Sequence, residues 1–249
     1  MKEQSGFRNA LLATATFLVL IWAVHLLVEF GGFKFWRSNG VHPRDWSKIW
    51  GIFTMPFLHA EGILEGKDAL GVTKTSHIFN NSASFLVLNS ILFFFSHKVA
   101  AKTWAIIFLF SGTFVWLIGQ TDSNHIGASG VVYGLAFFIF AAGVIKKDNT
   151  LLLRLSLLVA FLYGSIVWGI FPIQVGVSWE GHLGGALAGV FCAYYFRADL
   201  PERAKYRFEI EEELERLQAQ NPQKKKPNGK TPIVQIYRQL RHRGMDRGF

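Results

Sequence analysis

Six stretches of this chain are each apolar enough to cross a lipid bilayer, at about 10–29, 77–94, 103–120, 127–145, 151–171 and 179–196. The hydrocarbon core takes about 20 mainly apolar residues per helical crossing. Lipid offers no hydrogen-bond partner, so each crossing must satisfy its own backbone, which favours helices over open strands. The expected fold class is therefore all-α: a polytopic membrane protein built as a six-transmembrane-helix bundle. An apolar share of 51% would not by itself separate this from a soluble domain. The distribution does, because charges are sparse from Phe7 to Phe196 and crowd into the C-terminal segment. The expected division is a membrane domain over 1–196, with a long outer loop at 31–74, and a basic tail over 197–249, partly helical or disordered.

A basic start before an apolar run also describes a signal peptide. The first run, however, is long and ends in Leu-Val-Glu-Phe-Gly-Gly without a small-x-small cleavage site, so it reads as a retained span. Orientation follows from the basic residues. With the N-terminus inside, 20 of the 26 Lys and Arg fall on inner segments. The other six lie in the long outer loop, and the short outer loops near Asp122 and between Pro172 and Ser178 carry none. Both termini are expected to be cytoplasmic, in a multi-pass protein of the cell membrane, the bacterial inner membrane. The net charge of +9 is then a topology signal, and the expected partner is the lipid bilayer, with no nucleic acid.

The single cysteine, Cys192, has no disulfide partner and no metal-binding neighbours, and no nucleotide-binding or zinc-protease pattern occurs. No cofactor and no metal are expected. Phe33, Phe35, Trp36, Trp46, Trp50, Phe53 and Phe57 alternate with Lys34, Arg37, Arg44 and Lys48 in the outer loop, a mixture suited either to the water–lipid boundary or to a small folded cap. In the tail, Tyr206, Ile210, Leu214 and Leu217 recur at helical spacing. A linker at 222–230 containing Lys224, Lys225 and Lys226 comes next, and a weaker stripe runs from Ile233 to Leu240. Such a basic segment either touches anionic lipid or is simply solvated.

Polar groups inside a span are costly and point to function. Three clusters open the second, fourth and sixth spans: His77-Ile-Phe-Asn-Asn81, Gly127-Ala-Ser-Gly-Val-Val-Tyr-Gly134, and Glu180-Gly-His-Leu-Gly-Gly-Ala-Leu-Ala-Gly189. The topology puts all three at the same side of the membrane. Ser129 would stand in the first turn of a helix, where backbone N–H groups lack internal partners and the dipole favours negative charge. Those are the donors an acyl-transfer centre uses to hold an oxyanion. A serine nucleophile needs a base, and His182 returns to the same side two crossings later. Gly185 and Gly189 share the His182 face, Ala186 lies beside them, and Gly130 and Gly134 are four apart on the partner helix, so the two backbones can approach closely. Tyr133 lies one turn beyond Ser129, placed to support the imidazole, or else it is a packed aromatic. Glu180 and Asp122 are the candidates for a third, acidic member. His77 and Asn81 share a face at i, i+4, either as oxyanion donors or as polar residues bridging helices. Asn80, displaced by one helical step, reads as packing.

Together these residues resemble the rhomboid family of intramembrane serine proteases, over about Trp46 to Tyr195. The resemblance is carried by His-x-x-x-Asn at His77–Asn81, Gly-x-Ser-Gly-x-x-Tyr-Gly at Gly127–Gly134 and His-Leu-Gly-Gly-Ala-Leu-Ala-Gly at His182–Gly189. It implies a Ser129–His182 catalytic dyad. His77, Asn81 and the Ser129 backbone N–H would form the oxyanion hole, and Tyr133 would stack under His182 with Gly127 in support. It also implies a serine endopeptidase acting on transmembrane protein substrates, single-span helices that unwind near the outer interface, without metal or organic cofactor. The chain departs from the family pattern where a second histidine is expected just before His77. The nearest candidate, His59, lies 18 residues upstream. Trp36-Arg37 matches a family pair only in composition, and the tail beyond Phe196 has no counterpart. Two other readings remain. A catalytically silent rhomboid-like binder of membrane proteins would typically lack the serine or the histidine. A small-solute transporter would show midplane polar groups and repeated halves.

Overall fold

The computed structural model describes residues 2–60, 64–67, 73–75, 77–173, 176–203 and 205–220. The chain forms two compact units, Met1–Pro201 and Glu202–Phe249. The first is an all-α bundle of α1 (Lys2–Phe30), α2 (Gly51–Thr54), α3 (His77–Phe95), α4 (Ala100–Ile118), α5 (Ser129–Ile145), α6 (Thr150–Tyr163) and α7 (Trp179–Tyr195). Among the described residues, four stretches are long and apolar enough to cross a membrane: Leu11–Phe30, His77–Phe95, Ala100–Ile118 and Thr150–Ile170. The last joins α6 to a 3-10 stretch, Gly164–Ile170.

The fourth and sixth apolar stretches of the sequence become α5 and α7, 17 residues each. At 1.5 Å per residue each is about 26 Å long, short of the roughly 30 Å hydrocarbon thickness. Of the long helices they bury the largest share of their residues, and α7 still exposes Leu187, Val190 and Phe191 on one face. Gly130, Val131, Gly134, Leu135 and Phe138 of α5, and Gly185, Ala188, Gly189 and Cys192 of α7, are all buried. A Cβ added to Gly185 would lie 1.9 Å from the Gly130 carbonyl oxygen, and one on Gly189 would lie 2.1 Å from that of Gly134. The small residues expected to permit close approach are thus at the contact itself. The outer helices expose broad apolar faces, including Leu109, Phe110 and Leu117 of α4 and Leu157, Leu158 and Phe161 of α6. Faces of this size suit contact with lipid tails.

In α1 the buried residues Thr14, Phe17, Ile21, His25 and Val28 recur every three or four positions and form one helical stripe. That stripe faces α3: Asn89 Nδ2 donates to Thr14 Oγ1 at 2.7 Å, and Trp22 Nε1 donates to Ser82 Oγ at 3.0 Å.

The long loop is folded onto the bundle. Val41, Ile52 and Met55 pack with Val115 and Trp116 of α4 in a small second core. Val41 and His125 exchange two backbone hydrogen bonds of 2.9 Å, Arg44 N–H donates to Trp116 O, and Gly127 N–H donates to Met55 O. Of the two readings the aromatic pattern left open, a folded cap describes this core, while Phe35, Trp46, Trp50 and Phe53 remain exposed. Beyond His59 the loop carries a short antiparallel hairpin, β1 (Leu64–Lys67) and β2 (Thr73–Thr75), with Glu65 opposite Lys74. These are the only strands among the described residues.

In the second unit, α8 (Arg207–Gln220) forms where the sequence shows the Tyr206–Leu217 stripe. Arg203 donates both guanidinium nitrogens to the Glu209 carboxylate, and Lys205 pairs with Glu213. The 222–230 linker and the Ile233–Leu240 stripe lie outside the described residues.

Candidate active site

Gly127 has a φ of +118°, a backbone region open to glycine and strained for other residues. The turn it makes ends at Ala128, and α5 starts at Ser129. Intrahelical bonding begins with Val131 N–H to Ala128 O, so the N–H groups of Ser129 and Gly130 precede it. Ser129 is half-buried. One turn into α7, His182 is buried, and its Nε2 lies 2.8 Å from Ser129 Oγ. The separation of 53 positions along the chain is closed up by the glycine contacts between the two helices.

The other imidazole nitrogen fixes the direction of that bond. His182 Nδ1 lies 2.9 Å from the carbonyl oxygen of Gly169. A carbonyl can only accept, so Nδ1 carries the hydrogen and Nε2 presents its lone pair to the Ser129 hydroxyl. Beneath the imidazole, the Tyr133 ring stacks with centroids 3.9 Å apart and planes 6° apart. The i+4 spacing puts this ring on the Ser129 face of α5.

Neither acidic candidate completes a triad. Asp122 is exposed, in a left-handed turn at φ +66°. Glu180 is buried, but its charge acts on His125, and its Oε2 has no hydrogen-bond partner. Two residues before His182 on a helix places its side chain away from the imidazole's side. The position an acid would take is filled by the Gly169 carbonyl. His125 is itself held between Ser178 Oγ and Ser123 Oγ, each at 2.7 Å, and burial lowers its pKa while Glu180 opposes that shift. This group ties the α4–α5 loop to the start of α7.

His77 is the first residue of α3 and is exposed, whereas Asn81 is buried one turn on. Asn80 is exposed. Asn81 Nδ2 lies 3.1 Å from Nε2 of His59, so the folded loop brings this histidine back despite its distance along the chain. Donation of one amide hydrogen to His59 leaves the second free. Arg37 donates through Nε to the His59 carbonyl at 3.3 Å and pairs with Glu29 at the end of α1, which gives the Trp36-Arg37 pair a place near the site. Burial pushes the His59 pKa down to about 4, and the nearby His25 and His77 add to the shift. Among the described residues, no three His, Cys, Asp or Glu side chains gather closely enough to hold a metal ion.

Three groups in or beside this arrangement fall outside the sequence motifs. Gly169 contributes only a backbone oxygen. His125 sits four residues before Ser129, outside any of the three clusters. His25 lies inside the first span, where an isolated imidazole in an apolar run is the one available signal.

A family model for the rhomboid domain matches residues 69–199 of the chain. An uncharacterized protein of Mycobacterium tuberculosis H37Rv and one of Mycobacterium bovis are each 33% identical over 196 residues, covering 76% of this chain and 75% of theirs. An uncharacterized protein of Mycobacterium leprae is 30% identical over the same length, covering 76% of this chain and 71% of its own. With its apolar helical bundle, this multi-pass membrane protein belongs to the rhomboid family, which is of the intramembrane-protease type.

Proposed function

We propose that the chain is an intramembrane serine endopeptidase that cleaves single-span membrane proteins near the outer membrane interface. The observation that carries this reading is the hydrogen-bonded run from Ser129 Oγ through the His182 imidazole to the Gly169 carbonyl, seated on Tyr133. Ser129 Oγ attacks the scissile carbonyl as His182 Nε2 takes its proton. The oxyanion that forms is held by the Ser129 N–H, the Asn81 amide and His77. His182 returns the proton to the leaving amine, and the peptide bond breaks to give an acyl-serine. Water then attacks the ester with His182 as base, which frees the new carboxyl end and restores the hydroxyl. These steps use the chain's own groups and water.

The same reading has six spans in a bacterial inner membrane and both termini in the cytoplasm, an orientation drawn from where Lys and Arg fall along the chain. Ser129, His182 and Asn81 then sit at the outer ends of their helices. A serine-directed fluorophosphonate should label Ser129 in the membrane-embedded protein, and a single-span substrate should be cut by the wild type but not by Ser129→Ala or His182→Ala. Because the two residues act as one unit, the double variant should be scarcely worse than either single one. Full cleavage by purified Ser129→Ala would overturn the reading. An unlabelled, inactive wild type would favour a silent membrane-protein binder.

A further inference from the structure

A Ser–His pair works only when the imidazole keeps its Nε2 lone pair toward the serine. A neutral imidazole has two tautomers, and the hydrogen bond at one nitrogen decides which is present at the other. In a Ser-His-Asp triad a carboxylate makes that choice. Here neither candidate acid is hydrogen-bonded to the imidazole, and the group at hydrogen-bond distance from His182 Nδ1 is a main-chain carbonyl. We propose that the Gly169 carbonyl is the third member of the catalytic unit, a positioning group that locks the His182 tautomer; this rests on the protease reading above.

Local structure supports the assignment in two ways. Gly169 lies next to the end of the 3-10 stretch Gly164–Ile170, where carbonyls run out of partners within the helix and the dipole is negative. That end complements the positive charge the imidazole acquires when it takes the serine proton. The residue must also be glycine. A Cβ at this position would lie 1.9 Å from Tyr133 Oη and 3.1 Å from His182 Nδ1. The stretch is thus pressed against the imidazole and the ring that supports it, and no larger residue lets the carbonyl arrive. In the same stretch Gly164 has nothing within 4 Å of its Cβ position, so closeness to the site is a property of residue 169 and not of the segment.

The test weakens this one acceptor without touching a side chain. Replacing Ile170 in the full-length protein by its α-hydroxy analogue turns the 169–170 peptide bond into an ester, whose carbonyl is a poorer acceptor. The same replacement at Val167 alters the Ile166 carbonyl instead and controls for the lost N–H. The ester at 170 should lower kcat and the rate of fluorophosphonate labelling by about tenfold with KM within about twofold, the loss of roughly one hydrogen bond. The ester at 167 should stay within about twofold on both measures. Nitrogen-15 NMR of His182 should show the Nδ1–H tautomer alone in the wild type and a mixture in the 170 ester. Gly169→Ala should cause at least as large a loss, and Gly164→Ala none. A 170 ester with wild-type kcat and a single tautomer, or a wild type holding hydrogen on Nε2, would overturn the proposal. A wild type that keeps the Nδ1–H tautomer yet never labels at Ser129 would instead sink the protease reading and leave the hydrogen bond standing.

Discussion

Gly185 of α7 passes so close to α5 that a Cβ on it would lie 1.9 Å from the Gly130 carbonyl oxygen. The obstacle is backbone, so it cannot swing aside as a side chain would. Gly185→Ala must push the helices apart by about an ångström or more, and they carry Ser129 and His182. Overpacking of this kind costs about 1–3 kcal/mol. Displacement of reacting groups by about 1 Å can cost about 10²-fold in rate. We expect a lowered Tm in detergent and cleavage reduced by about 10²-fold, while Gly164→Ala, in open space, changes neither. An active, stable Gly185→Ala would show that the helix contact does not set the distance within the dyad.

Asn81 and Asn80 offer an internal comparison for the oxyanion hole. Asn81 is buried and bonded to His59, and Asn80 is exposed one helical step away. A donor aimed at a developing oxyanion is worth about 10²–10³ in kcat. Asn81→Ala should lower kcat by that order with a smaller change in KM, since the interaction is strongest in the transition state. Asn80→Ala should stay within a few-fold of wild type. The Ser129 N–H persists in both, so Asn81→Ala should remain above the activity of Ser129→Ala. Steady-state kinetics on a single-span substrate decide it, and a silent Asn81→Ala would place the oxyanion elsewhere.

The bundle and the Ser129–His182 pair are legible in the sequence because side-chain chemistry and periodicity report them. Gly185 and Gly189 share the His182 face by spacing alone, and Tyr133 comes one turn after Ser129, so helical geometry suffices. The unreadable parts lie in the backbone and in the loop. The Gly169 carbonyl has no sequence signature beyond a glycine between Trp168 and Ile170. His59 stands out as displaced, but a sequence does not say that the chain between Gly40 and His59 folds against α4 and returns this imidazole to Asn81. The short length of α5 is hidden because Gly127 and Ala128 continue the apolar run into a turn, so composition extends a span that geometry ends.

Burial of His59 makes stability sensitive to acid. Its pKa falls from the ordinary 6.5 to about 4, so between those values the unfolded chain binds a proton that the folded protein does not. Stability is therefore complete above about pH 6.5 and declines as pH falls toward about 4, by on the order of 3 kcal/mol for this group. Thermal unfolding in detergent should show Tm falling from pH 7 to 5, and His59→Gln should flatten that fall while starting from a lower Tm. An identical pH slope in the variant would assign the acid sensitivity to other groups.

The orientation of the bundle rests on charge, and it fixes which side of the membrane the site faces. Basic residues near the ends of short loops favour the cytoplasm. Lys146 and Lys147 come directly after α5, while the loop from Gly119 to Ile126, between α4 and α5, has no Lys or Arg. Asp122 in that loop is exposed, as is Lys147, so cysteines placed at either position should be reachable by a reagent. The native Cys192 is buried, and its replacement by Ala leaves a clean background. In intact cells an impermeant maleimide should modify Asp122→Cys directly and Lys147→Cys only after permeabilisation. Ser129 begins the helix after the Asp122 loop, so this pattern would put the dyad at the outer face. The reverse pattern would put the Ser129 end in the cytoplasm. Outer-interface cleavage would then be abandoned, while the proposed chemistry of the Ser129–His182 pair, which depends only on local geometry, would be left untouched.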